Sequence, residues 1–443
     1  MYRSGRVLGL LRHGVASNSW MCASFEGVNV LQGTQTSVPD AAPTRSFSLD
    51  AFQATPTSVR GHDRGNFLWG QSGLRSCSST PGERKSRHNM EFEDIMHKRR
   101  VFSKIMMRLA TRYKTKLRRM EFREGVEADN AMSELGESFF NDCVDIVGRF
   151  RDDMDHINAA TVIHRIGCIA ICFKEKSWMV SNYQKLILDF ANFLSQPERV
   201  DIMELRQAVM CFWGLSTFGP GMNKLKLDQN SDVTVEDCLR RLEAHLPKCG
   251  IEMRNGNNVC NMIEASAMCE LPLEEATLDY LLDGAPTVIA DEATSPQNVA
   301  SLLWAMAKMK IEDKWGAVPT AIDVLSGKAS KLRMDELAKV TKALGDMGVT
   351  DYARFMNETL KRVQVTLDHS EHLMSTQDVA DFATGLASLN FESSNEIMEY
   401  LVSDIKRRRH PLSSEQMDAF KAAAEKLGFA VGSLEREPFA EAA

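Results

Sequence analysis

One stretch of this 443-residue chain carries enough positive charge, at regular spacing, to bind phosphate groups. Residues 97–123 hold eleven Lys or Arg side chains against a single acid, Glu121. Six of these cations recur every three or four residues, which places them in a row along a helix. They are Arg100, Lys104, Arg108, Arg112, Lys116 and Arg119. Such a row can neutralise the phosphates of RNA, and we predict that these six residues bind RNA.

The same stretch has a separate apolar face, which makes it a basic amphipathic helix. This face consists of Phe102, Ile105, Met106, Leu109, Tyr113, Leu117 and Met120. Four readings remain open: the helix lies on RNA, on an anionic membrane or on an acidic protein surface, or it is a solvated helix that covers the end of a larger array. Like charges four residues apart repel each other in an isolated helix, so we expect an opposing surface.

A second dense basic cluster consists of Lys406, Arg407, Arg408 and Arg409, and Pro411 follows closely. Cations at the end of a helix complement its dipole, and a proline stops a helix, so a structural role is the favoured explanation. The alternative is contact of these four residues with phosphate or with an acidic partner.

Sequence motifs for catalysis or metal binding are absent. Gly327-Lys328 is followed by Ala, so no phosphate-binding loop of the GK[ST] type is present. His369 and His372 are spaced incorrectly for the two ligands of an HExxH zinc helix. Cys168 and Cys172 fall in an apolar helix and are expected to be free buried thiols. We predict no enzymatic activity, no catalytic residue, no cofactor and no metal site.

The rest of the chain shows an internal repeat. Residues 295–311 predict a helix with Ser295 as N-cap, Pro296 in the first turn and apolar residues at helical spacing. The pattern recurs with first apolar residues at Val259, Val299, Leu337, Val379 and Met417, which are 40, 38, 42 and 38 residues apart. Two weaker copies begin at Val162 and Ala208. We predict an all-α fold, a right-handed α-solenoid of about seven two-helix repeats of roughly 38–50 residues.

The expected domain organisation has four parts. Residues 1–89 are Arg-rich, Ser-rich and poor in acids, which is typical of a mitochondrial transit peptide followed by a disordered Ser/Gly-rich linker. An ordinary disordered tail is the alternative. Residues 90–156 would form the basic helix and a capping helix, 157–430 the solenoid, and 431–443 a disordered acidic tail. We therefore expect the mitochondrial matrix, and no apolar run is long enough to span a bilayer.

The charge balance limits where RNA could bind. Residues 124–443 contain 32 basic and 51 acidic side chains, a net charge of −19. Such an acidic body cannot neutralise phosphates over its whole surface. Contact with RNA should therefore be local, and the body could instead receive a basic partner.

Polar pairs stand at the start of each repeated helix. They are Asn257-Asn258, Gln297-Asn298, Asp335-Glu336, Gln377-Asp378 and Glu415-Gln416. These residue types suit a first helical turn, and that is the favoured explanation. The alternative is that the amides read the exposed edges of RNA bases.

The segment Pro296-Gln-Asn-Val-Ala-Ser-Leu-Leu-Trp-Ala-Met-Ala-Lys-Met309 resembles the helix signature of octotricopeptide-type and RAP-associated organellar repeat proteins. The resemblance covers roughly residues 158–427. It implies an α-solenoid that acts in the processing, stability, editing or translation of organellar RNA. We recognise no RAP domain after Leu427, which favours a subunit of a larger assembly, such as the guide-RNA-dependent editing machinery of protist mitochondria or a mitoribosome-associated particle.

Two functions of different kinds are therefore expected. The first is a non-catalytic RNA-associated subunit of a mitochondrial RNA-processing or RNA-editing complex. Its partners would be mitochondrial guide RNA or mRNA and other protein subunits, in a homo- or hetero-oligomer without an integral membrane segment. The alternative is a protein-only scaffold or assembly subunit of a mitochondrial complex such as the mitoribosome. A peripheral membrane role is a distant third, suggested only by the basic helix.

Overall fold

The computed structural model of this chain describes residues 81–121, 126–173, 177–228, 232–250, 254–367, 374–391, 393–407 and 412–430. Over these residues the protein is all-helical, with seventeen α-helices and a few short 3-10 turns. The only β pairing among them is an isolated antiparallel bridge between Lys226 and Thr234. The all-α class predicted from the sequence is confirmed.

The helices vary in length from single turns to one of 41 residues. Their bounds are α1 (Pro81–Glu121), α2 (Val126–Phe150), α3 (His156–Ala170), α4 (Ser177–Leu194), α5 (Pro197–Val200), α6 (Leu205–Ser216), α7 (Val235–His245), α8 (Gly256–Cys269), α9 (Glu275–Leu282), α10 (Ala285–Ala290), α11 (Pro296–Met309), α12 (Ala317–Lys328), α13 (Met334–Met347), α14 (Ala353–Leu367), α15 (Thr376–Leu389), α16 (Ser394–Arg407) and α17 (Ser414–Lys426).

Eight of these helices pack one against the next in chain order, and we call them the first helices. They are α1, α3, α6, α8, α11, α13, α15 and α17. The helices between them also contact one another, as α2 with α4, α4 with α7, α10 with α12, α12 with α14, and α14 with α16. The hydrophobic core lies between the packed helices. The handedness and the number of repeats of a solenoid remain predictions.

The helix α11 forms where the sequence predicts it. Ser295 is extended at the N-cap and Pro296 occupies the first helical position. Val299, Leu302, Leu303 and Met306 are fully buried, at 0% exposure. The helix ends because Lys310 adopts the left-handed conformation (φ 53°), which interrupts the helical hydrogen bonds.

Two glycines allow first helices to approach each other at backbone distance. A Cβ placed on Gly214 of α6 would lie 2.7 Å from the carbonyl oxygen of Ile163 in α3. A Cβ placed on Gly385 of α15 would lie 2.7 Å from the backbone nitrogen of Lys342 in α13. A real side-chain carbon does not fit at these distances, so these two helix crossings depend on glycine.

The second helix of the unit that contains α8 is followed by a further short helix. The sequence predicts a helix over residues 273–282, and α9 confirms it, whereas α10 was not predicted. Gly284 between them adopts φ 70°, a left-handed conformation that L side chains rarely occupy. The chain therefore turns at Gly284 and resumes as a second short helix.

Only some of the predicted domain boundaries fall on residues that the structure describes. The helix α1 begins at Pro81, so the expected start of the folded part at residue 90 lies inside it. Residues 1–80 of the expected transit peptide and linker, and the tail 431–443, lie outside the described residues.

None of the cysteines that the structure describes forms a disulfide. Cys168 is buried in α3, as predicted, whereas Cys172 lies beyond the end of α3 and is half-buried, so the prediction of a buried helical thiol is wrong for Cys172. No helix within the described ranges combines the length and the apolar character needed to cross a membrane.

Candidate nucleic-acid interface

The helix α1 is amphipathic in the way that its sequence predicts. Phe102, Met106, Tyr113 and Leu117 are buried, while Ile105, Leu109 and Met120 are partly exposed. The buried face packs on α2 and α3, and Tyr113 is fixed there because its hydroxyl donates to Asp142 Oδ2 at 2.8 Å. Burial, together with this hydrogen bond to Asp142, raises the pKa of Tyr113. The opposite face of α1 is left for solvent or a ligand.

That opposite face carries five of the predicted RNA-binding residues, which we call the α1 row. All five are exposed: Arg100, Lys104, Arg108, Arg112 and Lys116. Among the described residues none of them forms an ion pair within 4 Å with a carboxylate. The contact that is present is between Lys116 Nζ and the ring of Tyr113, 5.5 Å from its centroid. The row thus presents five positive charges to solvent, along a path that winds around α1.

The neighbouring cations of α1 are used internally. Lys98 pairs with Asp94 at 3.0 Å and lies 3.7 Å from Asp153. Arg99 pairs with Asp155 at 3.1 Å and donates to the carbonyl oxygen of Asp153 at 2.9 Å. The sequence prediction omitted these two residues from the row, and the structure assigns them to the contact between α1 and the start of α3.

The remaining predicted RNA-binding residues are only partly described. Arg119 lies in α1, but its side chain is outside the described residues. Lys406 is exposed in the last turn of α16, and Arg407 ends that helix, as the helix-end explanation predicts. The side chain of Arg407 and the whole of Arg408 and Arg409 lie outside the described residues. The helix α16 packs on α14 and α15, whereas α1 packs on α2 and α3, so the two clusters belong to opposite ends of the helix order.

No group of three or more His, Cys, Asp or Glu residues that could hold a metal ion occurs in the part of the chain that the structure describes. His369 and His372, considered as zinc ligands and rejected on spacing, lie outside that part.

A second group of cations was not predicted from the sequence, because its members come from three different helices. Burial and three neighbouring positive charges lower the pKa of His164, which is 1% exposed, well below its usual value. Those charges belong to Arg165 in α3, Lys114 in α1 and Arg206 in α6. Lys114 is 9% exposed and Arg165 is 2% exposed, so these two cations are buried, unlike the α1 row, whereas Arg206 is exposed. The sequence does not identify this group, because its members have no regular spacing along one helix.

Some polar residues at the helix starts link successive units, and of these Asn257 and Asn298 are buried. Asn257 donates to the carbonyl oxygen of Ala293 at 3.0 Å, and its Oδ1 accepts from Asn298 Nδ2 and from the amide of Ser295, each at 3.0 Å. Gln416 Nε2 donates to Gln377 Oε1 at 3.1 Å in the same manner. Asn257 and Asn298 are buried and engaged, so they are not free to read RNA bases.

We expect Asn257→Ala to lower the free energy of unfolding by about 1–3 kcal/mol, because it leaves buried donors and acceptors on the next unit without partners. Chemical denaturation measures this effect. Gln297, which donates from an accessible position to the carbonyl oxygen of Lys331 at 2.9 Å, is the matched control. Gln297→Ala should lower the free energy of unfolding by clearly less than Asn257→Ala does. RNA affinity should be unchanged in both variants, and a loss of affinity in Asn257→Ala at unchanged stability would restore the base-reading interpretation.

Glu336 predicts a pH dependence of stability. Burial, reinforced by the nearby charge of Asp335, raises the pKa of Glu336 to about 7, although Arg333 Nε lies 2.8 Å from its carboxylate. The folded chain therefore binds more protons than the unfolded chain between about pH 4.5 and pH 7. The free energy of unfolding therefore decreases as the pH rises through this window and Glu336 loses its proton.

We expect Glu336→Gln to remove that loss. Gln keeps an oxygen for the amide of Arg333, which donates to Glu336 Oε2 at 2.9 Å. Relative to the unmodified chain, the variant should gain up to about 3 kcal/mol between pH 5 and pH 8. Thermal denaturation at both pH values tests this, and a constant difference between the two chains would contradict it.

A groove of about 770 Å³ is lined by the C-terminal ends of α11 and α13 together with residues of α12 and Arg354. Its acids are Glu312, Asp313, Asp323, Asp346 and Asp351. Three of them are engaged: Asp313 accepts from the first amides of α12, Asp323 lies 3.6 Å from Arg354, and Asp346 pairs with Lys342. Helix C-termini add partial negative charge, so the groove favours a basic partner.

Comparisons with known proteins add nothing to this geometry: no protein-family model matches the chain, and no curated protein matches it either.

Proposed function

We propose that this chain is a non-catalytic RNA-associated subunit of a mitochondrial RNA-processing or RNA-editing complex that handles guide RNA or mRNA. The observation that carries the proposal is the α1 row. Five exposed cations on one helix, without an ion pair to any described residue, form a surface that matches phosphates. An ordinary solvated helix would be expected to intersperse such charges with acids, as pairs four residues apart stabilise a helix.

We propose further that the helices form a right-handed α-solenoid of about seven two-helix repeats over residues 157–430. The consecutive packing of the first helices supports this architecture. So do the side-chain links between helix starts, because they join residues 41 and 39 positions apart, close to the period of the sequence repeat. Each unit would then bury its apolar face against its neighbours.

The mitochondrial matrix is proposed from the composition of residues 1–89, and the absence of enzymatic activity from the lack of catalytic motifs. In this proposal the α1 row and Arg119 form the main RNA contact. The cluster from Lys406 to Arg409 is a secondary one, at the far end of the helix order.

The alternative is a protein-only scaffold or an assembly subunit of a mitochondrial complex such as the mitoribosome. The acidic groove between α11 and α13 favours this alternative, because its charge suits a basic protein and repels RNA. The α1 row would then bind an acidic protein surface.

Affinity purification of the tagged chain from mitochondria, with and without nuclease, separates the two functions. An RNA-associated subunit should retain RNA after ultraviolet crosslinking, and part of its protein partners should be lost after nuclease. A protein-only scaffold should retain all its partners after nuclease and yield no crosslinked RNA. Vesicles of phosphatidylserine in a parallel binding assay test the third reading, and membrane binding as strong as RNA binding would count against the proposal.

A further inference from the structure

The threonines interleaved with the α1 row have no free hydroxyl proton for a base. Thr111 Oγ1 donates to the carbonyl oxygen of Met107, and Thr115 Oγ1 donates to that of Thr111, each at 2.8 Å. Both side chains are exposed, so their location would suit base contact, but their donors are used within the helix. The threonine hydroxyls therefore add no free donor to the guanidinium and ammonium groups of the row.

The aromatic side chains of this part of α1 are buried. Between Asp94 and Leu117 they are Phe102, which is 1% exposed, and Tyr113, which is 8% exposed. The Tyr113 ring packs edge-on against Phe139 at 5.5 Å, and the Phe102 ring lies 5.4 Å from that of Phe150. Proteins that bind single strands gain about 1–3 kcal/mol per base from stacking on exposed aromatics. This described part of the helix lacks such a platform.

The row is regularly spaced, and it winds around the helix by about 160° between Arg100 and Lys116. Successive members are four residues apart, which is about 6 Å along the helix, and the whole row from Arg100 to Lys116 spans about 24 Å. Rows of this spacing incline by roughly 26° to the helix axis. Regularly spaced cations gain most from the polyanion with the highest charge density, which is a duplex.

We propose that the α1 row binds double-stranded segments of RNA through their phosphates, without reading their sequence. This inference rests on the proposed function and specifies its substrate class. Double-stranded RNA is recognised mainly by its shape and its backbone, because its deep, narrow major groove keeps the base edges out of reach of side chains. Exposed cations without an aromatic platform therefore contact its phosphates. Segments where a guide RNA pairs with its target have this chemistry.

The test uses the full chain and labelled 20-nucleotide RNAs in fluorescence anisotropy: a duplex, one of its strands alone, and a duplex of shuffled sequence. The duplex should bind more tightly than the strand. If all five cations engage, log K should change with log salt by about −4.5 for the duplex and about −3.5 for the strand. The preference for the duplex should therefore increase about 4-fold as salt falls from 200 to 50 mM. The shuffled duplex should bind equally well.

Tighter binding of the single strand, or a strong preference for one duplex sequence, would overturn this inference and leave the proposed function intact. Absence of binding to every RNA would instead overturn the proposed function. The double variant Thr111→Val and Thr115→Val keeps all five charges and should bind the duplex as the unmodified chain does. A loss of affinity in that variant at unchanged stability would show base or sugar readout and contradict phosphate-only binding.

Discussion

Reversing the charge of all five residues in the α1 row, by substitution with Glu, is expected to weaken RNA binding at least about 10³-fold at 0.1 M salt. The release of counterions by five phosphate contacts contributes roughly 3.5 units of log K to a single strand at this salt concentration. The variant loses this contribution and adds repulsion. The five side chains are exposed and unpaired with described residues, so folding should be unaffected. Anisotropy titrations over a range of salt concentrations measure both the affinity and its salt slope, which should fall toward zero.

A control variant with the same change in net charge shows whether location matters. It replaces five exposed lysines of the other helices and loops by Glu: Lys224, Lys310, Lys331, Lys421 and Lys426. We expect its RNA affinity to fall by far less, because only the general repulsion changes. Equal losses in the two variants would mean that RNA responds to total charge, and the α1 row would lose its assigned role.

The second large effect is expected at the glycine crossings. Gly214→Ala and Gly385→Ala should each lower the free energy of unfolding by about 1–3 kcal/mol, because the added methyl group lies within 3 Å of the backbone of the neighbouring helix. Alanine has a higher helix propensity than glycine by about 1 kcal/mol, so propensity alone would make both variants more stable. A lower free energy of unfolding would therefore come from the close crossing. Chemical denaturation gives the overall change, and hydrogen exchange shows whether α3, α6, α13 and α15 lose protection first.

Gly148 in α2 provides the matched control. A Cβ placed there has no atom within 4 Å, so Gly148→Ala should stabilise the protein by up to about 1 kcal/mol. If alanine at Gly214 and Gly385 also stabilised the chain, the two close crossings would not exist in solution.

Local signals explain which parts of the fold could be predicted. The helix α11 follows from an N-cap residue, a proline in the first turn and apolar residues at helical spacing, all within one short segment. The capping box of Ser413 with Gln416 is likewise present, because both partners lie three residues apart. The exposed row and buried face of α1 follow from the period of a helix.

Features that depend on neighbouring units could not be predicted. Asn257 is a residue type that suits the start of a helix. Its hydrogen-bond partners are 36 to 41 residues away, and nothing in the local sequence identifies them. The backbone contact at Gly214 and the group of cations around His164 likewise require knowledge of which helices adjoin. The short helix α10, which follows the turn at Gly284, was not predicted from the sequence.

The segregation of charge along the chain has a consequence for assembly. Positive charge is concentrated on the first helix, and the acidic groove lies in the second half of the helix order, so occupation of one does not obstruct the other. A protein anchored at the groove would act as a tether. If that protein also binds a nucleic acid, it would raise the effective concentration of the nucleic acid near α1 into the millimolar range. Even a weak electrostatic contact stays occupied at such a concentration. Avidity of this kind would add to the contact that the five charges make.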